Sequence, residues 1–208
     1  MAKRIRKKAK AELASAAFQR QAVTQSEVLR LSYAQCQKLP KSRRQYVLDI
    51  ASDQWTSRFA SMDDAQDVAR ESRKWARLRD EFVESTDQPL EIHCFTWNYD
   101  AHRGMAPLIK LMKNPRCDAG TALRLYWVND PYYYSQYGSI ADCPYREEQD
   151  AMRLLRTIKA RFERAGFASR KIPFDPTPWL TDGKRDADSL GVPEIMRAAV
   201  PTRGKSGG

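Results

Sequence analysis

Apolar side chains along this chain recur at helical intervals, and no strand-like alternation persists for long. Val68, Ser72, Trp75, Leu78 and Phe82 follow one another at steps of three and four, a narrow stripe that predicts a helix opened by Asp63 or Asp64. Opposite the stripe, Arg70, Arg73, Lys74, Arg77 and Arg79 alternate with Asp67, Glu71, Asp80 and Glu81, which reads as a solvated face with i,i+4 pairs. A second stripe, Met152, Leu155, Ile158 and Phe162, predicts a long helix over residues 145–165 with Gly166 as its left-handed cap. The fold class predicted from this pattern is all-α: a compact multi-helix domain with an N-terminal helical extension and mobile termini.

Capping chemistry divides the rest. Thr24 and Glu27 form a T-x-x-E capping box, with Val28, Leu31 and Gln35 on one face behind it and Leu39-Pro40 as the stop. Ser42 can cap a helix carrying Tyr46, Val47 and Ile50. Thr86 to Pro89 reads as a boundary. Pro107 suits the first turn of a short helix ended by Asn114-Pro115, and Asp118 is placed to cap a third helix with its body at Thr121 to Val128. Asp130-Pro131 breaks that helix before a tyrosine-rich loop, and Ile172 to Pro176 predicts an extended segment across the helices. The organisation predicted is a basic arm at 1–10, a helical region at 11–86, a second helical region at 87–180 and a loosely held tail at 181–208.

The formal net charge of +10 raises a nucleic-acid reading, so its location matters. Residues 1–10 carry six bases (Lys3, Arg4, Arg6, Lys7, Lys8, Lys10) and no acid, whereas residues 11–180 carry 25 bases against 22 acids. Most of the excess therefore sits in a terminal arm that can hold phosphate backbones only weakly. The ordinary reading of such an arm is a solvated terminus. Gly204-Lys205-Ser206 lacks the upstream glycine of a phosphate loop. No apolar run approaches bilayer length, no signal-peptide core follows the arm, and four dispersed cysteines show no C-x-x-C pair. These features predict a cytoplasmic protein without membrane contact, metal or cofactor.

The densest information lies in Trp97-Asn98-Tyr99-Asp100, Asn114-Pro115-Arg116-Cys117-Asp118-Ala119-Gly120-Thr121-Ala122-Leu123 and Asp130-Pro131-Tyr132-Tyr133-Tyr134. On these residues the chain resembles an uncharacterised bacterial family, domain of unknown function 4274, over about residues 90–178. The resemblance is carried by Trp97, Asn98, Asp100, Pro115, Cys117, Asp118, Thr121, Ala122, Leu123, Tyr126 and Trp127, and by a closing element at Gly166-Phe167 and Ile172 to Pro176. One departure is the glycine after the W-N-x-D element, which here stands at Gly104. The resemblance implies a domain identity and no reaction. Its marked residues, Trp97, Asn98, Asp100, Cys117, Asp118 and Thr121, read as structural: Asp118 and Thr121 as caps, Trp97, Tyr126 and Trp127 as core aromatics with a polar partner.

Candidate chemistry is sparse. Asp100 with Asp118 would make a hydrolytic pair only if the fold brought them together, and His93 or His102 with Cys94 or Cys117 would make a nucleophile pair on the same condition. No metal-ligand spacing or nucleophile elbow is present, so no catalytic residue is assigned and an enzyme is not expected. Tyr132, Tyr133, Tyr134 and Tyr137, beside Trp127, are the better functional candidates, because tyrosine offers large contact area, few rotors and a polar tip. Base stacking is disfavoured, since no Lys or Arg lies between Tyr126 and Tyr145. The function expected is a protein-binding module, of the immunity type that occludes a toxin or effector; the alternatives are a nucleic-acid-associated protein using its arm and a small hydrolase using Asp100 and Asp118.

Overall fold

The computed structural model describes residues 23–52, 65–164, 166–180 and 191–200. The basic arm with Lys3, Arg4, Arg6, Lys7, Lys8 and Lys10, the Asp63/Asp64 helix start and the Gly204 to Ser206 fragment lie outside the described residues. Among the described residues the fold is all-α, with no strand and one isolated antiparallel bridge, Phe174 with Val200.

Helix α1 (Gln25–Ala34) starts at the expected box: Thr24 Oγ1 accepts from Glu27 N, and Glu27 Oε2 accepts from Thr24 N at 2.9 Å. It buries Val28 and Ser32 instead of Val28 and Leu31; Leu31 is exposed. A 3-10 turn, Gln35–Lys38, leads to α2 (Lys41–Ala51), which begins behind Pro40 with no side-chain cap, so Ser42 lies inside the helix. Helix α3 (Ala65–Ser85) carries the predicted stripe, sunk only at its C-terminal half: Val68 is exposed, Trp75 and Leu78 half-buried, Phe82 buried. Its outer face holds the ion pairs Arg70–Asp67, Lys74–Glu71 and Arg77–Glu81. Exposed pairs of this kind contribute a few tenths of a kcal/mol each, so it is the apolar stripe that seats the helix.

Helix α4 (Pro89–Asn98) is the centre. Phe95 stacks between Phe82 of α3 and Tyr99, each at 5.3 Å between ring centroids. Glu91 accepts a bidentate pair from Arg43 of α2, at 2.5 and 2.8 Å, which ties α2 to the start of α4. A 3-10 turn, Ala101–Arg103, is capped by Asp100 and closed by Gly104 at φ 88°, a conformation other residues rarely adopt. Helix α5 (Ala106–Lys113) then packs on α3 and on the long α8 (Arg146–Glu163), in which Met152, Leu155, Ile158 and Phe162 are all buried. Each such side chain contributes about 1.5–3 kcal/mol. Gly166 does not take the left-handed cap expected of it; its N–H returns to Arg161 O at 3.0 Å.

Helix α6 (Ala119–Val128) is buried almost throughout. Its entry is set by Asp118, whose carboxylate, fully buried, accepts from Gly120 N (2.8 Å), Lys171 N (2.7 Å), Ile172 N (3.3 Å) and Ser169 Oγ. Asp118 thus caps α6 and also clamps the 169–172 segment onto it. A Cβ at Gly120 would overlap the Ile172 carbonyl oxygen, so glycine permits the approach. Thr121 is no cap, contrary to expectation; its hydroxyl meets His93 Nδ1 at 2.9 Å. Beyond α6, the predicted tyrosine loop is a helical turn, α7 (Pro131–Tyr134), and a second short helix, α9 (Thr177–Leu180), follows the extended Ile172–Pro176 segment. The tail is packed where it is described: Val192, Met196 and Val200 are buried.

Candidate partner-binding surface

The groups named for chemistry, His102 apart, are engaged in the fold. His93 is fully buried between Thr121 Oγ1, Ser32 O (2.9 Å from Nε2) and Trp97 Nε1 (3.1 Å), and burial, then the charge of Arg124, pushes its pKa down to about 3. No thiol partners it. The interaction between the buried Cys36 and Cys94 thiols lowers the first and raises the second, while burial pushes Cys117 up to about 12. Asp100 caps the 101–103 turn and Asp118 the α6 entry, so the structure shows no bond joining the two carboxylates. His102 is exposed. Among the described residues no three of His, Cys, Asp and Glu gather to hold a metal ion, and no described helix is long and apolar enough to cross a membrane.

Cys36, Cys94, Cys117 and Cys143 are all buried thiols. A disulfide-exchange reagent is therefore expected to modify them in the folded chain about two orders of magnitude more slowly than in the unfolded chain. A native thiol that reacts at the unfolded rate would locate a segment that opens.

Arg124, in the middle of α6, was not distinguished by any sequence signal. It is buried, donates Nη2 to Thr96 O and Oγ1, and lies 4.2 Å over the Trp97 ring; burial pulls its pKa down to about 9. Its Nε has no hydrogen-bond partner among the described residues. The indole face supplies part of the compensation a carboxylate would otherwise supply.

The tyrosine cluster is built on two fixed points. Asp130 adopts φ 45°, reverses the chain after α6, and accepts from Tyr133 N at 3.2 Å; Pro131 occupies the first turn of α7. One turn of helix then sends successive tyrosines in different directions. Tyr132 points inward, its ring 6.1 Å from Trp127 and its hydroxyl toward Trp179 O. Tyr133 points outward, 40% exposed, and donates to Glu148 Oε1 at 2.6 Å. That bond, with the neighbouring Tyr137 hydroxyl at 3.2 Å, holds the Tyr133 phenol well above the ordinary tyrosine range. Tyr134 meets the Tyr133 ring edge-on at 5.0 Å.

Trp127 does not join this surface. It is 1% exposed, with Nε1 donating to Met196 O at 3.0 Å, and belongs to the core. Tyr132 is also half-buried against that core. Tyr145, the residue before α8, was missed and is 66% exposed. Its place at a helix start, one residue after Pro144, is a cap position and carried no sequence signal of exposure. Between α7 and α8 lies a cavity of about 230 Å3 walled by Tyr126, Tyr134 and Tyr137 and edged by Arg156 and Lys159.

The sequence argument against cations near these rings therefore does not survive folding. Arg156 and Lys159 arrive from α8, and Arg156 Nη2 donates to Gly138 O at 2.9 Å.

No curated protein and no solved structure matches the chain. A family model described as Domain of unknown function (DUF4274) matches residues 86–163, from the turn before α4 to the end of α8; the closing element at Gly166-Phe167 and Ile172–Pro176 lies beyond it. Over residues 86–163, less than half of its length, the chain is similar to that family.

Proposed function

We propose that the chain is a protein-binding module whose contact face is centred on Tyr133, Tyr137 and Tyr145. The observation that carries this reading is that exposed tyrosine is held rigid there: Tyr133 is fixed by Glu148 and Tyr137, so little rotamer freedom is lost when a partner closes over it. Burial of His93, Cys94, Cys117 and Asp118 in hydrogen-bonded or apolar settings supports binding over hydrolysis. In the toxin-neutralising form of this reading, the face occludes the partner's own working surface.

The test is affinity capture by the full chain from its host's extract, compared with a Tyr133→Ala, Tyr145→Ala double variant. Both side chains are exposed, so the variant is expected to melt as the wild type does while losing the captured protein by about tenfold or more, as tyrosine anchors at interface centres do. Undiminished capture would place the contact face elsewhere. For the neutralising form, co-expression of the captured protein should be toxic without the chain and tolerated with it.

A further inference from the structure

Charge is segregated on the folded domain in a way that regional totals conceal. Residues 101–117 hold four bases and no acid, and residues 151–171 hold seven bases and one acid, Glu163. These stretches form α5 and the second half of α8, which pack against each other. Some of the charge is used internally. Arg161 donates to Met112 O, Asn114 O, Pro115 O and Gly166 O; Lys110 pairs with Glu84, and Arg153 with Asp150. Arg156 and Lys159 make no ion pair among the described residues, and both line the tyrosine-walled cavity.

We infer that this cavity receives a glutamate or aspartate side chain of an acidic partner protein, with Arg156 and Lys159 as its counter-charges and Tyr134 and Tyr137 as its walls. The inference rests on the protein-binding reading and names the chemistry of the partner. A guanidinium and an ammonium with no ion-pair partner among the described residues, on the rim of a tyrosine-walled socket, call for an anion, and a planar guanidinium suits a carboxylate. Arg156 is already oriented by Gly138 O and keeps its other N–H groups for a ligand.

Two observations favour protein over nucleic acid. The tyrosine rings meet edge-on, Tyr133 with Tyr134 at 89° and with Tyr137 at 75°, so they form no parallel platform for bases. Glu148, bonded to Tyr133, would also repel a continuous phosphate chain laid along the rings, whereas a single carboxylate in the cavity meets Arg156 and Lys159 and has no acid among its walls. A mosaic of this kind fits a surface whose acids and bases are both matched, and the excess positive charge would steer an acidic partner inward.

The experiment titrates the labelled full chain with three probes, followed by heteronuclear NMR: a short peptide of alternating glutamate and phenylalanine, the same peptide with lysine for glutamate, and single-stranded oligothymidylate. The acidic peptide is expected to shift Tyr134, Tyr137, Arg156 and Lys159 most. Its affinity should fall about tenfold in an Arg156→Glu, Lys159→Glu variant and less in Lys159→Glu alone. If the double variant melts early, the single Lys159→Glu change, which removes no hydrogen bond among the described residues, decides the matter. Shifts elsewhere, affinity indifferent to these changes, or tighter binding of oligothymidylate at the same residues would overturn the inference. The underlying reading is tested separately. A captured partner lost by the Tyr133, Tyr145 variant but kept by the charge reversals leaves protein binding standing and removes the acidic socket.

Discussion

Asp118→Asn is expected to destabilise the fold by about 3–5 kcal/mol, read as a lowered urea midpoint with an unchanged slope. The size follows from donor geometry. Oδ1 accepts from two backbone N–H groups, Gly120 and Ile172, and Oδ2 from Lys171 N and the Ser169 hydroxyl. Asparagine replaces one oxygen with an NH2 group. Set at the Oδ1 position, that group faces two amides that can only donate. Set at Oδ2 it faces one such amide and a hydroxyl that can turn round, so the second orientation is preferred and Lys171 N loses its acceptor. The variant also gives up the negative charge at the α6 N-terminus. Hydrogen bonds to a charged acceptor contribute about 1.5–3 kcal/mol each, and at least one is broken while the others become neutral. A hydrolytic Asp118 predicts a different result, turnover lost and stability kept. A midpoint within experimental error of wild type would show that the 169–172 segment is not held by this carboxylate.

The same residue shows what was legible before folding and what was not. Its capping role could be read from sequence, because the N–H it serves at Gly120 is two positions away. Its clamp on residues 169–172, more than fifty positions along, could not. The Thr24–Glu27 box and the ion pairs of α3 were legible for the same reason: partners three or four apart share a helix face by geometry alone. Thr121 was misread as a cap because capping is the local use of a threonine near a helix start, whereas His93, 28 positions back, claims its hydroxyl. Trp127 could be core or contact until Met196 O was seen to take its indole N–H. At the candidate site the rings were identifiable from composition, but Arg156 and Lys159 were not, since α8 delivers them across the chain. Charge counted over 170 residues averaged away the basic half of α8.

Acid should unfold this protein through His93. The ring is fully buried, and its pKa of about 3 lies below the 6.5 of an unfolded histidine, chiefly through burial and secondly through Arg124. A depressed histidine favours its neutral form in the folded state. The stability it supports is therefore whole above pH 6.5 and is lost as pH falls toward 3, because only the unfolded chain takes up the proton in that window. The slope is about 1.4 kcal/mol per pH unit, so about 3 kcal/mol is gone by pH 4.5. The hydrogen bonds resist relief by rearrangement. Trp97 Nε1 can only donate and Ser32 O can only accept, yet both meet Nε2. A proton on Nε2 satisfies Ser32 O and opposes the indole; a proton on Nδ1 satisfies Thr121 and admits the indole. A second proton would satisfy Ser32 O and Thr121 together, but at the cost of an imidazolium in the core beside the Arg124 charge and against the indole N–H. Comparing melting between pH 7 and 4 in wild type and His93→Gln isolates this contribution from the carboxylates, which both proteins share, and His102→Gln serves as the exposed control. The His93 variant is expected to start lower at pH 7 and to fall about 1.4 kcal/mol per unit less steeply. Parallel slopes would mean that His93 takes up its proton in the folded chain, which requires the Ser32–His93–Trp97 contact to open and α1 to lift from α4.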